Sequence, residues 1–276
     1  MNKADRAAVT AIALSWALFA IYYLTVGTLE SPWFAAFGIA YMWIPGLTAL
    51  WLARREGVRL PVWGRPDRWW LAAWLLPLLL TAGAVVVSLP LGEYVGLSGI
   101  KQLMGGAAGE LAGLPDWALW LSLALQILFA GVTINALAAL GEELMWRGYL
   151  WERTRELGFW PASLQIGVVW GVWHAPLVYF LGYNYPQHRF WGVIFMVIFT
   201  TLLTPWLLYL RERSGTLLAP AIFHGTLNAS AGLSIYVFAE PNRLLVGLTG
   251  LGGFVTLALA NLYLRRLVPP DAGGAG

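Results

Sequence analysis

Apolar positions run in long blocks along this chain instead of alternating with polar ones. Eight blocks reach or approach the roughly 20 apolar residues that a helix needs to cross a bilayer. They cover 7–27, 32–53, 69–91, 117–140, 160–181, 190–210, 217–238 and 244–264, separated by charged, Pro or Gly residues. The pattern predicts an all-α fold, a polytopic bundle of about eight transmembrane helices. It forms one transmembrane domain over 1–268, followed by a disordered Gly/Pro tail at 269–276. The first block is too long for the apolar core of a signal peptide and no small-residue cleavage site follows it, so it is expected to be retained.

Composition narrows the class. Only 11% of the 276 residues are charged and 59% are hydrophobic, against about 25% charged in a soluble domain. The mean hydropathy is +0.67. A soluble chain of this length has no interior large enough for so much apolar surface, which excludes a cytosolic enzyme, a disordered tail and a nucleic-acid reader. With no cysteine, disulfides, thiolate metal sites and thiol nucleophiles are excluded as well.

The placement of charge sets the expected orientation, because Lys and Arg stay on the cytoplasmic side. Fourteen of the 17 basic residues fall at the N-terminus, the C-terminus and the second, fourth and sixth connections, and three (Lys101, Arg189, Arg243) fall on the other side. Both termini are therefore expected in the cytoplasm, with an even number of spans. Fifteen Arg against two Lys suggest a GC-rich prokaryotic genome, hence a prokaryotic cytoplasmic membrane. The Arg-rich connection 54–68 is expected along the cytoplasmic headgroups, and the Gly-rich connection 92–116 as a re-entrant or interfacial segment opposite.

Three polar clusters interrupt the apolar blocks, and an ionisable group at membrane depth is costly enough to suggest a function. In the first, Gly141-Glu142-Glu143-Leu144-Met145-Trp146-Arg147, Glu143 and Arg147 are four apart and can pair on one helix face. Glu142, rotated by about 100°, is left for chemistry. A span ending at Leu140 would instead make both carboxylates cytoplasmic cap charges. In the second, His174 lies about 21 Å into the fifth span at 1.5 Å per residue, with Trp170 one turn before it as a wall. A packing histidine is the plain alternative. In the third, His224 and Asn228 share a face one turn apart, which an interhelical hydrogen bond would equally explain. If all three clusters face one cavity, the fourth helix must run later than hydropathy suggests, from about 130 to about 157. Asn135 and Tyr149 then lie seven residues either side of Glu142, on nearly its face.

A carboxylate, two imidazoles and an amide suit water activated by Glu142, with His174 sharing its proton and with His224 and Asn228 donating to an oxyanion. A zinc ion held by Glu142, His174 and His224 is the alternative within the same chemistry. The order Glu142-Glu143-x-x-x-Arg147, Trp170-x-x-x-His174, His224-x-x-x-Asn228 resembles the CPBP intramembrane proteases, which include the CAAX prenyl endoproteases and Abi-type proteins. The resemblance covers about 117–238, with Trp170 where the family usually has Phe.

It implies an eight-span bundle with a cavity open to the cytoplasm and a water activated by Glu142 and His174. It also implies an oxyanion hole of His224 and Asn228, with Glu143, Arg147 and Trp170 supporting. No cofactor is expected on that reading, although older readings of the family propose a metal. The expected partners are the lipid bilayer and a membrane protein or lipidated peptide as substrate, with no nucleic acid. A non-proteolytic scaffold or immunity protein of the same family is the alternative function.

Overall fold

The computed structural model describes residues 2–104 and 114–269. Among these residues the regular structure is helical. The helices are α1 (Lys3–Thr25), α2 (Trp33–Glu56), α3 (Arg68–Ser88), α4 (Leu97–Met104), α5 (Asp116–Val132), α6 (Ile134–Glu143), α7 (Trp151–Thr154), α8 (Phe159–Trp173), α9 (Ala175–Leu181), α10 (Arg189–Ser214), α11 (Leu218–Ser230), α12 (Leu233–Tyr236) and α13 (Leu251–Leu267). Between α6 and α7 the helix continues as a widened i→i+5 segment, Leu144–Leu150. The expected tail 269–276 lies, apart from Pro269, outside the described residues.

Local chemistry sets several boundaries. Asp67 accepts hydrogen bonds from the Trp69 and Trp70 amides and starts α3, as an N-cap carboxylate does. Gly57 and Gly215 end α2 and α10 in the left-handed conformation, at φ 66° and 67°. A β-carbon would strain that conformation.

The expected count of eight spans is not reached among the described residues. Five helical stretches are long and apolar enough to cross a membrane, and a sixth arises if α5 and the helix Ile134–Leu157 are taken as one span bent by 42°. The seventh and eighth apolar blocks are not continuous helices. Helix α11 stops after 13 residues, and the chain turns at Ala231–Gly232 into the four-residue α12. It then runs through further turns, with Gly247 at φ +83°, before α13 begins at Leu251. Hydropathy counts apolar side chains, whereas the Gly and Pro residues of this region decide where the backbone stays helical.

The fourth block divides where the sixth span bends. At Thr133 the backbone leaves helical values (φ −112°, ψ −103°), so α6 starts afresh at Ile134. This agrees with the later-running helix required by the polar clusters. Close approach then brings α6 against α2 and α11. A β-carbon on Gly46 would lie 2.5 Å from the Gly141 carbonyl oxygen, and one on Gly225 would lie 2.5 Å from the Ala136 amide nitrogen. Small residues at such crossings let membrane helices pack backbone to backbone.

The Arg-rich connection is less superficial than expected. Leu60 and Val62 pack against the main core, and the Leu217 amide donates to the Pro61 carbonyl at 2.8 Å. On the opposite side, Leu97 and Ile100 of α4 join Leu119, Val237, Phe238 and Val246 in a second apolar cluster. The Gly-rich connection is thus partly structured, and 105–113 lie outside the described residues.

Candidate active site

The break between α8 and α9 starts from a proline. Pro176 has no N–H to give back to the preceding turn and its ring crowds the carbonyl four residues earlier, so the helix is interrupted at His174. The Trp173 carbonyl, at the break, accepts from Tyr41 Oη at 2.8 Å and from Trp16 Nε1 at 3.1 Å, which ties α1, α2 and α8 together at this level. His174 Nδ1 lies 2.9 Å from the Trp170 carbonyl. A carbonyl can only accept, so Nδ1 carries the proton and Nε2 keeps the lone pair.

The two neighbouring carboxylates are used differently. Glu143 and Arg147 are both fully buried and pair at 3.1 Å. The same Glu143 oxygen lies 2.8 Å from His224 Nδ1. Arg147 also donates to Thr204 Oγ1 at 3.0 Å, and its guanidinium lies 4.2 Å from the centre of the Trp170 ring. Glu142 points the other way. Its Oε2 accepts from Trp170 Nε1 at 2.5 Å and from Trp146 Nε1 at 3.3 Å. Both carboxylates are buried, so the reading of them as cap charges is set aside.

Glu142, His174, His224 and Asn228 line one cavity of about 130 Å³, well above the roughly 10–15 Å³ that one water needs. Asn228 is exposed and His174 half-buried, whereas Glu142 and His224 are buried. Trp170 is more than the wall predicted for it. It stacks edge-on to His224 at 5.3 Å and also holds Glu142. Tyr149 and Asn135 do not join the site. Tyr149 donates to Glu56 at 3.0 Å and Asn135 to the Gly225 carbonyl at 3.3 Å. The widened turn explains the first miss, since about 4.4 residues per turn instead of 3.6 over the steps from Leu144 to Tyr149 swings the side chain by roughly a quarter turn.

Sequence reasoning missed the cavity's other half. Phe34, Phe37 and Tyr41 of α2 line it, as do Tyr183 and Asn184 of the α9–α10 turn. The first three spans carry no motif, so only the hydroxyl of Tyr41 inside an apolar block offered a signal. Desolvation, and then the charge of Glu142, holds the Tyr183 phenol above its ordinary value, so it stays a neutral donor at the cavity wall.

Among the described residues no group of three or more His, Asp or Glu side chains could hold a metal ion. Glu142, His174 and His224 share a cavity without forming such a set, and no step below passes through a metal.

Residues 116–230 match the family model described as "Type II CAAX prenyl endopeptidase Rce1-like". The matched stretch runs from α5 to the end of α11 and contains every polar side chain of the site named from the sequence. None of the curated proteins compared with the chain matches it.

Proposed function

We propose, from the match of residues 116–230 to a family model described as a CAAX prenyl endopeptidase, that the chain is an intramembrane endopeptidase acting through a glutamate-activated water. The observation that carries this reading is the convergence of Glu142, His174, His224 and Asn228, from three separate helical segments, on one cavity with room for several waters.

Glu142 takes a proton from a water in the cavity as the water oxygen attacks the scissile carbonyl carbon. His174, with its proton fixed on Nδ1 by the Trp170 carbonyl, accepts a hydrogen bond from the same water at Nε2 and orients it. The carbonyl electrons move onto oxygen, where His224 and Asn228 donate. The abstracted proton then passes to the leaving amine as the C–N bond breaks. Donation from His224 Nε2 requires protons on both ring nitrogens. The charges allow this, because Glu142, Glu143 and Arg147 together leave one negative charge for an imidazolium to balance. Preorganised donors of this kind supply the largest share of catalysis in acyl transfer.

The expected substrate is a membrane protein or lipidated peptide, and the expected location is a prokaryotic cytoplasmic membrane with the Arg-rich face in the cytoplasm. The test is reconstitution in lipid with a membrane peptide library. Glu142→Gln and His174→Ala should each abolish cleavage while the protein still folds. Cleavage retained by both variants would end the proposal.

A further inference from the structure

Two expectations from the sequence pull against each other. Loop charges put the Arg-rich connections in the cytoplasm, while the family resemblance implies a cavity open to that same side. The cavity lies on the other half of the bundle. Helix α2 runs from Trp33 to Arg54-Arg55-Glu56, and the residues it contributes are Phe34, Phe37, Gly38, Tyr41 and Met42. The nearest of these to the Arg-rich end, Met42, precedes Glu56 by about 21 Å along the helix at 1.5 Å per residue.

The other elements repeat the arrangement. Helix α10 ends at Arg211 and Arg213 but contributes Met196, Phe199, Thr200 and Leu203, and the α9–α10 turn contributes Tyr183 and Asn184. Toward the Arg-rich face the way is filled. Trp146, Arg147, Tyr149, Leu150, Leu207 and Leu210 are all buried to within 3% exposure. Beneath them Glu56 is bound by Arg153, by Lys3 at 3.3 Å and by Tyr149, while Arg211 pairs with Glu152 at 3.1 Å.

We infer that the cavity is entered from the face opposite the Arg-rich connections, the extracytoplasmic face, and that it receives an uncharged, apolar peptide segment presented from that side. The second clause rests on the peptidase reading and the first does not. No Lys or Arg is among the described lining residues, and the path from the mouth toward Glu142 is walled by Phe34, Phe37, Met196 and Phe199. Along that outer path a charged segment would lose its hydration against aromatic and thioether side chains, whereas apolar side chains gain by leaving water.

The absence of cysteine allows a clean test. Single thiols are introduced by Phe34→Cys at the mouth, Met42→Cys deeper in the cavity and Arg65→Cys on the Arg-rich face. Each is exposed to a membrane-impermeant maleimide in right-side-out and in inverted membrane vesicles. Phe34→Cys and Met42→Cys should label roughly ten times faster or more in right-side-out vesicles, and Arg65→Cys by a similar factor in inverted ones. Labelling of Phe34→Cys or Met42→Cys mainly in inverted vesicles overturns the inference, as does protection of Phe34→Cys in both. Labelling requires no turnover and can be repeated on a Glu142→Gln background. A failed cleavage assay therefore leaves this result standing, and a reversed labelling pattern leaves the peptidase reading intact.

Discussion

Replacing Arg147 with Met strips the buried Glu143 carboxylate of its guanidinium partner and leaves His224 as its remaining contact. The Glu143 and Arg147 side chains have no exposed surface, so water cannot take over the lost interaction. Breaking a buried pair by removing one partner costs about 3–5 kcal/mol. At about 2–4 °C per kcal/mol for a domain of this size class, the midpoint of thermal unfolding should fall by roughly 10 °C. Adding Glu143→Gln removes the stranded charge and keeps an acceptor opposite His224 Nδ1, so the double variant should regain about 2–3 kcal/mol through coupling of the two sites. Activity should not return with it, because an amide oxygen accepts a weaker hydrogen bond from His224 Nδ1 than the Glu143 carboxylate does and holds the imidazole less firmly in place. Tryptophan fluorescence against temperature in detergent, with cleavage measured on the same samples, gives both readouts. Strictly additive losses of stability would show that the pair is not coupled, and recovered cleavage in the double variant would refute the role given to Glu143.

Further outcomes follow from individual contacts. Trp170→Phe keeps a ring beside His224 and Arg147 but removes the donor to Glu142. A hydrogen bond to a charged group contributes about 1.5–3 kcal/mol, so turnover should fall by roughly 10- to 100-fold with little change in unfolding temperature, and unchanged turnover would reduce Trp170 to a wall. A methyl group on Gly141 would meet the Met42 carbonyl oxygen at 2.7 Å and the Trp43 Cα at 2.8 Å. Gly141→Ala should therefore destabilise by about 1–3 kcal/mol and displace α2 from the cavity, and a melting temperature equal to that of the parent would contradict this. Treatment with a divalent chelator should leave cleavage unchanged, and loss of activity that zinc restores would return the metal alternative.

The polar residues that line the cavity were legible in the sequence because polar and ionisable groups inside an apolar block are costly. Glu142, His174, His224 and Asn228 stand out on that ground, and the i, i+4 spacing of Glu143 and Arg147 anticipates their ion pair. The number of continuous spans was not legible. The 13 residues of α11 and the late start of α13 sit inside blocks as apolar as true spans, and the glycines that end them look no different from those packed within helices. The role of Trp170 was hidden too, since its distance from Glu142 depends on how α6 and α8 cross.

Composition and local spacing alone determine that this chain belongs in lipid, which side its basic residues favour and which polar side chains interrupt its apolar blocks. These properties depend on solvation and on the pitch of a single helix. Which carboxylate is paired and which is left to the cavity, the aromatic half of that cavity contributed by α2, and the face toward which it opens were decided only by tertiary packing. Each depends on the relative height and rotation of separate helices, and these are set by contacts such as Gly46 against Gly141 between residues far apart in the chain.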